Sequence, residues 1–138
     1  MASLIYNSFF DDVFKGNIDM NSDSFKVMLT TSSYTADKDT HTKRSDVTNE
    51  VTGTGYTANG AATTATVTKD TVNDRLNVEI GAATWSNSTI TAAKAVVYKS
   101  RGGLASADEL VACIDFGSDI ISSNGTFTLT ASTIRIQN

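Results

Sequence analysis

The chain has 138 residues but no proline, one cysteine, one histidine and one tryptophan. Each scarcity removes a class of structure or chemistry. Without proline, turns fall to Gly, Asn, Asp and Ser, which tolerate left-handed backbone or close a turn with a short polar side chain. The lone Cys113 cannot form an intramolecular disulfide, which suits folding in a reducing cytoplasm. It sits in the apolar run Leu110-Val111-Ala112-Cys113-Ile114, where a small buried hydrophobe is expected rather than a nucleophile. A nucleophile would need a nearby base, and His41 lies in the distant polar stretch Asp39-Thr40-His41-Thr42-Lys43. With nothing apolar around it to tune or orient the ring, His41 reads as an exposed loop residue. No Cys/His spacing suits zinc.

Charge is also sparse, at 19% of residues, with a net charge of −4 and a pI near 4.7. A nucleic-acid binder needs a basic patch to neutralise phosphates, so nucleic acid is not an expected partner. The one local pair, Lys43-Arg44, stands near Asp46 and Glu50 and reads as solvated surface. No run reaches the roughly 18–20 apolar residues of a membrane span. The N-terminus lacks the basic, apolar and small-residue regions of a signal peptide. A soluble protein not exported by the standard route, with no membrane partner, is expected.

Carboxylates offer little more. Asp11 and Asp12 are adjacent on a helical pattern, so they point about 100° apart and cannot flank a sugar as a glycosidase pair does. Asp115 interrupts an apolar strand, where hydrogen bonding to a turn backbone or an arginine is the expected role. Thr52-Gly53-Thr54-Gly55 lacks the Lys-Ser/Thr ending of a phosphate loop and the third glycine of a dinucleotide site, and reads as a flexible turn. Trp85 reads as a core anchor. These residues make no catalytic constellation, so no enzymatic activity, cofactor or metal is expected.

What is abundant is threonine and serine, whose recurrence favours half-exposed pleated strands. Residues 3–16 are the exception. Ile5, Tyr6, Phe9, Phe10, Val13 and Phe14 fall on one half of a helical wheel, and Asn7, Ser8, Asp11, Asp12 and Lys15 on the other. That pattern predicts an amphipathic helix, with Ser3 as N-cap and Gly16 as terminator. A half-turn stripe is wide for packing on a small sheet, so part of it is a candidate interface.

Phe25, Val27 and Leu29 alternate as a strand with one side buried. Residues 32–60 form a long polar loop or arm, in which 45–51 could turn helically from Ser45. Connections of that length are usually functional. Residues 61–138 read as a run of short strands, with a turn at Asn73-Asp74, breaks at Asn87-Ser88 and 117–124, and 110–116 as a central strand buried on both faces. The length fits one domain spanning 1–138. The pattern predicts a mostly β, antiparallel β-sandwich of jelly-roll-like type with one N-terminal helix.

Several segments, in order along nearly the whole chain, resemble a family of small structural proteins of tailed-bacteriophage virions. They include Leu4-Ile5-Tyr6-Asn7-Ser8-Phe9, Val13-Phe14-Lys15-Gly16-Asn17-Ile18, Asn49-Glu50-Val51-Thr52-Gly53-Thr54-Gly55-Tyr56, Thr84-Trp85-Ser86-Asn87-Ser88-Thr89, and Ile114-Asp115-Phe116-Gly117-Ser118. The chain departs from that pattern at Asn59, where a second glycine is expected, and over 131–138. The resemblance implies a capsid decoration (cement) protein, made in the host bacterial cytoplasm and carried on the capsid surface. Its partners would be the major capsid protein and further copies of itself, as dimer or trimer. A neck, tail or fibre component is the alternative, followed by a carbohydrate-binding module for host attachment. The helix face and the arm supply the candidate interface residues Ile5, Tyr6, Phe9, Phe10, Phe14, Tyr34, His41, Lys43, Arg44 and Tyr56.

Overall fold

The computed structural model describes residues 3–138. Its elements are β1 (Leu4–Ile5), α1 (Asn7–Phe14), β2 (Phe25–Thr30), β3 (Ala61–Thr63), β4 (Ala65–Asp70), β5 (Arg75–Ile80), β6 (Ala83–Lys99), β7 (Leu110–Leu129) and β8 (Ser132–Gln137). Short 3-10 turns lie at Arg44–Asp46 and Ala105–Ala107. The strands make a five-stranded sheet ordered β1-β7-β6-β2-β3 and a three-stranded sheet ordered β4-β5-β8, every pairing antiparallel. The chain is mostly β, as its threonine-rich pattern predicts.

A bent ribbon organises the sandwich. The β6–β7 ladder runs from Tyr98↔Leu110 to Ala83↔Leu129, and the β5–β8 ladder takes over at Ile80↔Ser132. Only Gly81-Ala82 and Thr130-Ala131 separate the two ladders, so one ribbon passes from the large sheet into the small one. Thr64 makes the corresponding corner between β3 and β4. The corners are stitched together: Gly81 N–H donates to the Thr64 carbonyl at 2.8 Å, and Thr63 Oγ1 donates to the Gly81 carbonyl at 2.7 Å. A Cβ on Gly81 would run into Thr64 Oγ1.

Period-two alternation divides the core into two clusters. Toward the small sheet, Phe25, Val27, Leu29, Ala95, Val97 and Val111 meet Val78, Ile80 and Ile134, with Phe9 of α1 and Trp85 closing the ends. On the opposite face of the large sheet, Met28, Val96, Tyr98, Leu110 and Cys113 pack with Tyr6, Tyr34 and Ala36. β2 is therefore buried on both faces, Met28 at 3% exposure and Thr30 at 0%, where alternation alone predicts one. The first four residues of β7, Leu110 to Cys113, are buried on both sides, in keeping with the expected central strand.

Other expectations need correction. The helix starts at Asn7, because Leu4 and Ile5 pair with Cys113 and Ala112 as an edge strand. Ser3 caps nothing in the helix, and its Oγ instead accepts the Asp115 N–H at 2.8 Å. Gly16 does end α1, at φ +81°. The helical turn near 45–51 is only Arg44–Asp46, where the Asp46 carboxylate accepts the Thr42 and Lys43 N–H groups. The breaks expected at Asn87-Ser88 and 117–124 are irregularities inside the long strands β6 and β7. Asn87, Gly117 and Asn124 take φ values of 50°, 82° and 47° there, and the ladder shifts register around Ser88. Turn-forming residues at these points are absorbed as bulges and kinks, which bend a strand without ending it.

Candidate interaction surface

Residues 31–60 form a strap that covers the back of the large sheet through Tyr34 and Ala36 and reaches the sandwich-side cluster through Val51 and Tyr56. Backbone hydrogen bonds tie the strap to β2 and to itself, from Val51 N–H to the Leu29 carbonyl at 3.0 Å and from Thr31 N–H to the Asn49 carbonyl at 2.9 Å. Beneath the strap, Tyr34 is 1% exposed. Its hydroxyl lies 2.8 Å from the Tyr6 hydroxyl and 2.9 Å from His41 Nδ1. Asp37 N–H also donates to Nδ1, at 3.3 Å. That nitrogen is therefore an acceptor, the Tyr34 hydroxyl donates to it, and the Tyr6 hydroxyl donates to Tyr34. Burial pushes the Tyr34 phenol up to about 12 and Tyr6 higher still, so both stay neutral as donors. His41 also stacks on Tyr34, ring centroids 5.7 Å apart. It is a half-buried link in a polar chain rather than the exposed loop histidine its neighbours suggest.

Further polar anchors hold the strap. Lys94, 7% exposed, sends Nζ to the Tyr34 carbonyl at 2.7 Å and the Ser32 carbonyl at 3.4 Å. Arg44 Nε lies 2.7 Å from Asp108 Oδ2, and its guanidinium sits 5.3 Å over the Tyr98 ring. Lys43 Nζ is 3.6 Å from Glu109, which Arg101 also binds at 2.6 Å. Burial would raise the Glu109 carboxyl, yet the Arg101 hydrogen bonds and the Lys43 and Arg101 charges hold it below the ordinary value. Lys43-Arg44 thus serves buried carboxylates and is not free surface. The Tyr56 hydroxyl donates to Glu50 at 2.6 Å and accepts the Leu29 N–H at 3.1 Å, while its ring stacks beside Trp85. Gly60, at φ +82°, lets the strap touch β2, since a Cβ there would meet the Val27 carbonyl.

Against this frame the expected interface residues separate. Tyr6, Phe9 and Tyr34 are buried in their own domain, and Ile5, His41, Lys43, Arg44 and Tyr56 are half-buried. Of that set, only Phe10 at 39% and Phe14 at 89% stand exposed. They border an apolar groove of about 810 Å³ between α1 and the small sheet, with Val67, Leu76, Val78 and Ile136 on the sheet side and Ile18 and Met20 beside them. Length explains the groove. Eight helical residues span about 12 Å, whereas six-residue strands span about 20 Å, so α1 cannot cover the sheet. Alternation groups Ile134 with Ile136, but Ile134 is buried and Ile136 is 42% exposed at the uncovered end.

The remaining candidates are plain in role. Cys113 is buried and its thiol is pushed up to about 11, chiefly by burial. Asp115 Oδ1 accepts the Gly117 N–H at 2.8 Å, the turn-backbone role expected of it. Trp85 is a core residue, edge-on to Phe127. Among the described residues, no group of three or more His, Cys, Asp and Glu side chains could hold a metal ion, and no helix is long and apolar enough to cross a membrane. No protein family, curated protein or solved structure matches the chain.

Proposed function

We propose that this chain is a non-enzymatic structural protein of a tailed-phage virion, a capsid decoration protein that binds the shell of the major capsid protein as a homo-oligomer. The observation that carries the reading is the unfilled apolar groove, with Phe10, Phe14 and Ile136 exposed together along its rim. Contiguous apolar surface of this kind marks a protein–protein contact, and the ordered motif resemblance supplies the virion setting. The strap supports the same role, because a cross-braced sandwich resists local opening. A carbohydrate-binding module has less support, since Tyr34, Tyr98 and Trp85 are buried and leave no aromatic platform.

Copy number per virion, measured by quantitative mass spectrometry, tests the reading. Hundreds of copies in simple ratio to the major capsid protein are expected. A dozen or fewer would move the chain to the neck or tail.

A further inference from the structure

The sandwich is closed on one side and open on the other. Thr64 carries the chain directly from β3 into β4, but on the opposite side β1 and β8 are, among the described residues, the outermost strands of their two sheets. Between them lies a cleft of about 550 Å³ that reaches the core residues Ile80, Val97, Ala112 and Ile134. Free strand edges present unpaired backbone donors and acceptors, and an edge beside an apolar cleft is the geometry in which an extended peptide adds as a strand.

Charge defines what that peptide should carry. The chain has a net charge of −4, yet among the described residues the charged ones lining this cleft are Lys38 and Arg135. Among the described residues neither lies within ion-pair distance of a carboxylate, whereas Arg44, Arg75, Arg101, Lys15, Lys43 and Lys99 all do. The nearby Asp39 is engaged by the Asn7 amide at 2.6 Å. An apolar floor bordered by two solvent-exposed cations without a carboxylate partner complements a segment that alternates apolar and acidic residues.

We infer that the cleft between β1 and β8 is a docking site for an extended, acidic peptide segment of a partner protein, which pairs with the β8 edge and places carboxylates against Lys38 and Arg135. This goes beyond the virion reading and is tested on the isolated chain, so copy number does not bear on it. The probe is a fluorescein-labelled peptide about ten residues long, the length of a strand with its flanks, alternating valine with threonine and glutamate. Saturable anisotropy is expected, weakening with added salt. Lys38→Glu with Arg135→Glu should reduce affinity by at least about tenfold. Both sites are exposed, so circular dichroism should show an unchanged fold. Equal binding of a lysine-for-glutamate peptide would overturn the inference, as would the absence of any peptide binding. Binding of oleate in place of the peptide would reassign the cleft to a lipid chain. Dimerisation lost in the double variant, with no peptide binding, would assign it to a second copy; either result overturns the proposal.

Discussion

The two faces of the large sheet are both buried, but by opposite means. Toward the small sheet the contact is apolar throughout, from Phe25, Val27 and Leu29 to Val78, Ile80 and Ile134. Toward the strap, the apolar cluster is rimmed by Lys94, Arg44, Asp108, Glu109 and the Tyr6–Tyr34–His41 chain. Apolar burial scales with area and tolerates small shifts. Hydrogen-bonded and charged contacts need each partner in place, and a lone buried member is costly. The sandwich face should therefore set global stability, while the strap face should fail locally and abruptly when one anchor is lost.

The sharpest way to break that contrast is Asp108→Ala, which strands Arg44 over Tyr98 and removes the acceptor of the Arg101 N–H. A loss of about 3–5 kcal/mol is expected in the opening free energy of the strap, read by native-state hydrogen exchange. Hydrogen exchange should rise first in 31–60. Leu29→Ala, on the fully buried sandwich face, should cost about 2–5 kcal/mol with exchange rising evenly through both sheets. If both variants raise exchange in the same places, the two faces are not distinct units. Tyr34→Phe removes the hydroxyl that links Tyr6 to His41 and should cost about 1–3 kcal/mol, read as faster proteolysis within the strap.

Acidity separates the faces without mutation. The Glu109 carboxyl is held below its ordinary 4.5 in the folded chain, so the unfolded chain binds that proton more readily. Its stabilisation is complete above that value and fades as pH falls through the lower folded value. As pH falls below 4.5, strap proteolysis should accelerate in the natural chain and change less in Glu109→Gln, while sandwich exchange stays slow. The smallest effect is expected at the groove. Phe14→Ser, at an exposed site, should alter stability by no more than about 0.5 kcal/mol but should weaken self-association or shell binding in sedimentation assays.

Much of the sandwich was legible because its cues are local. Alternation at Phe25, Val27 and Leu29, the continuous apolar run from Leu110, and the wheel of α1 each report burial from neighbours in sequence. The strap was legible only as length and polarity. Its contacts join residues far apart in the chain, Arg44 with Asp108 and Lys94 with the Tyr34 carbonyl, and no periodic signal marks such pairs. Charge runs like Lys43-Arg44 look solvated until the carboxylates they serve are located. The candidate surface was half visible: Phe10 and Phe14 stood out on the helix, but the open end of the small sheet did not.

The sequence by itself determined a β-rich chain without disulfides, one short amphipathic helix, and which side chains alternate across each strand, because backbone propensity and period are properties of neighbours. Only the tertiary structure decided that 31–60 would lie on its own sheet, that Asn87, Gly117 and Asn124 would bend strands rather than end them, and that α1 would stop short of covering its groove. Those outcomes depend on distances between elements remote in sequence: the ladder that outcompetes a turn, the buried charges that draw a strap inward, and a helix shorter than the sheet it must cover.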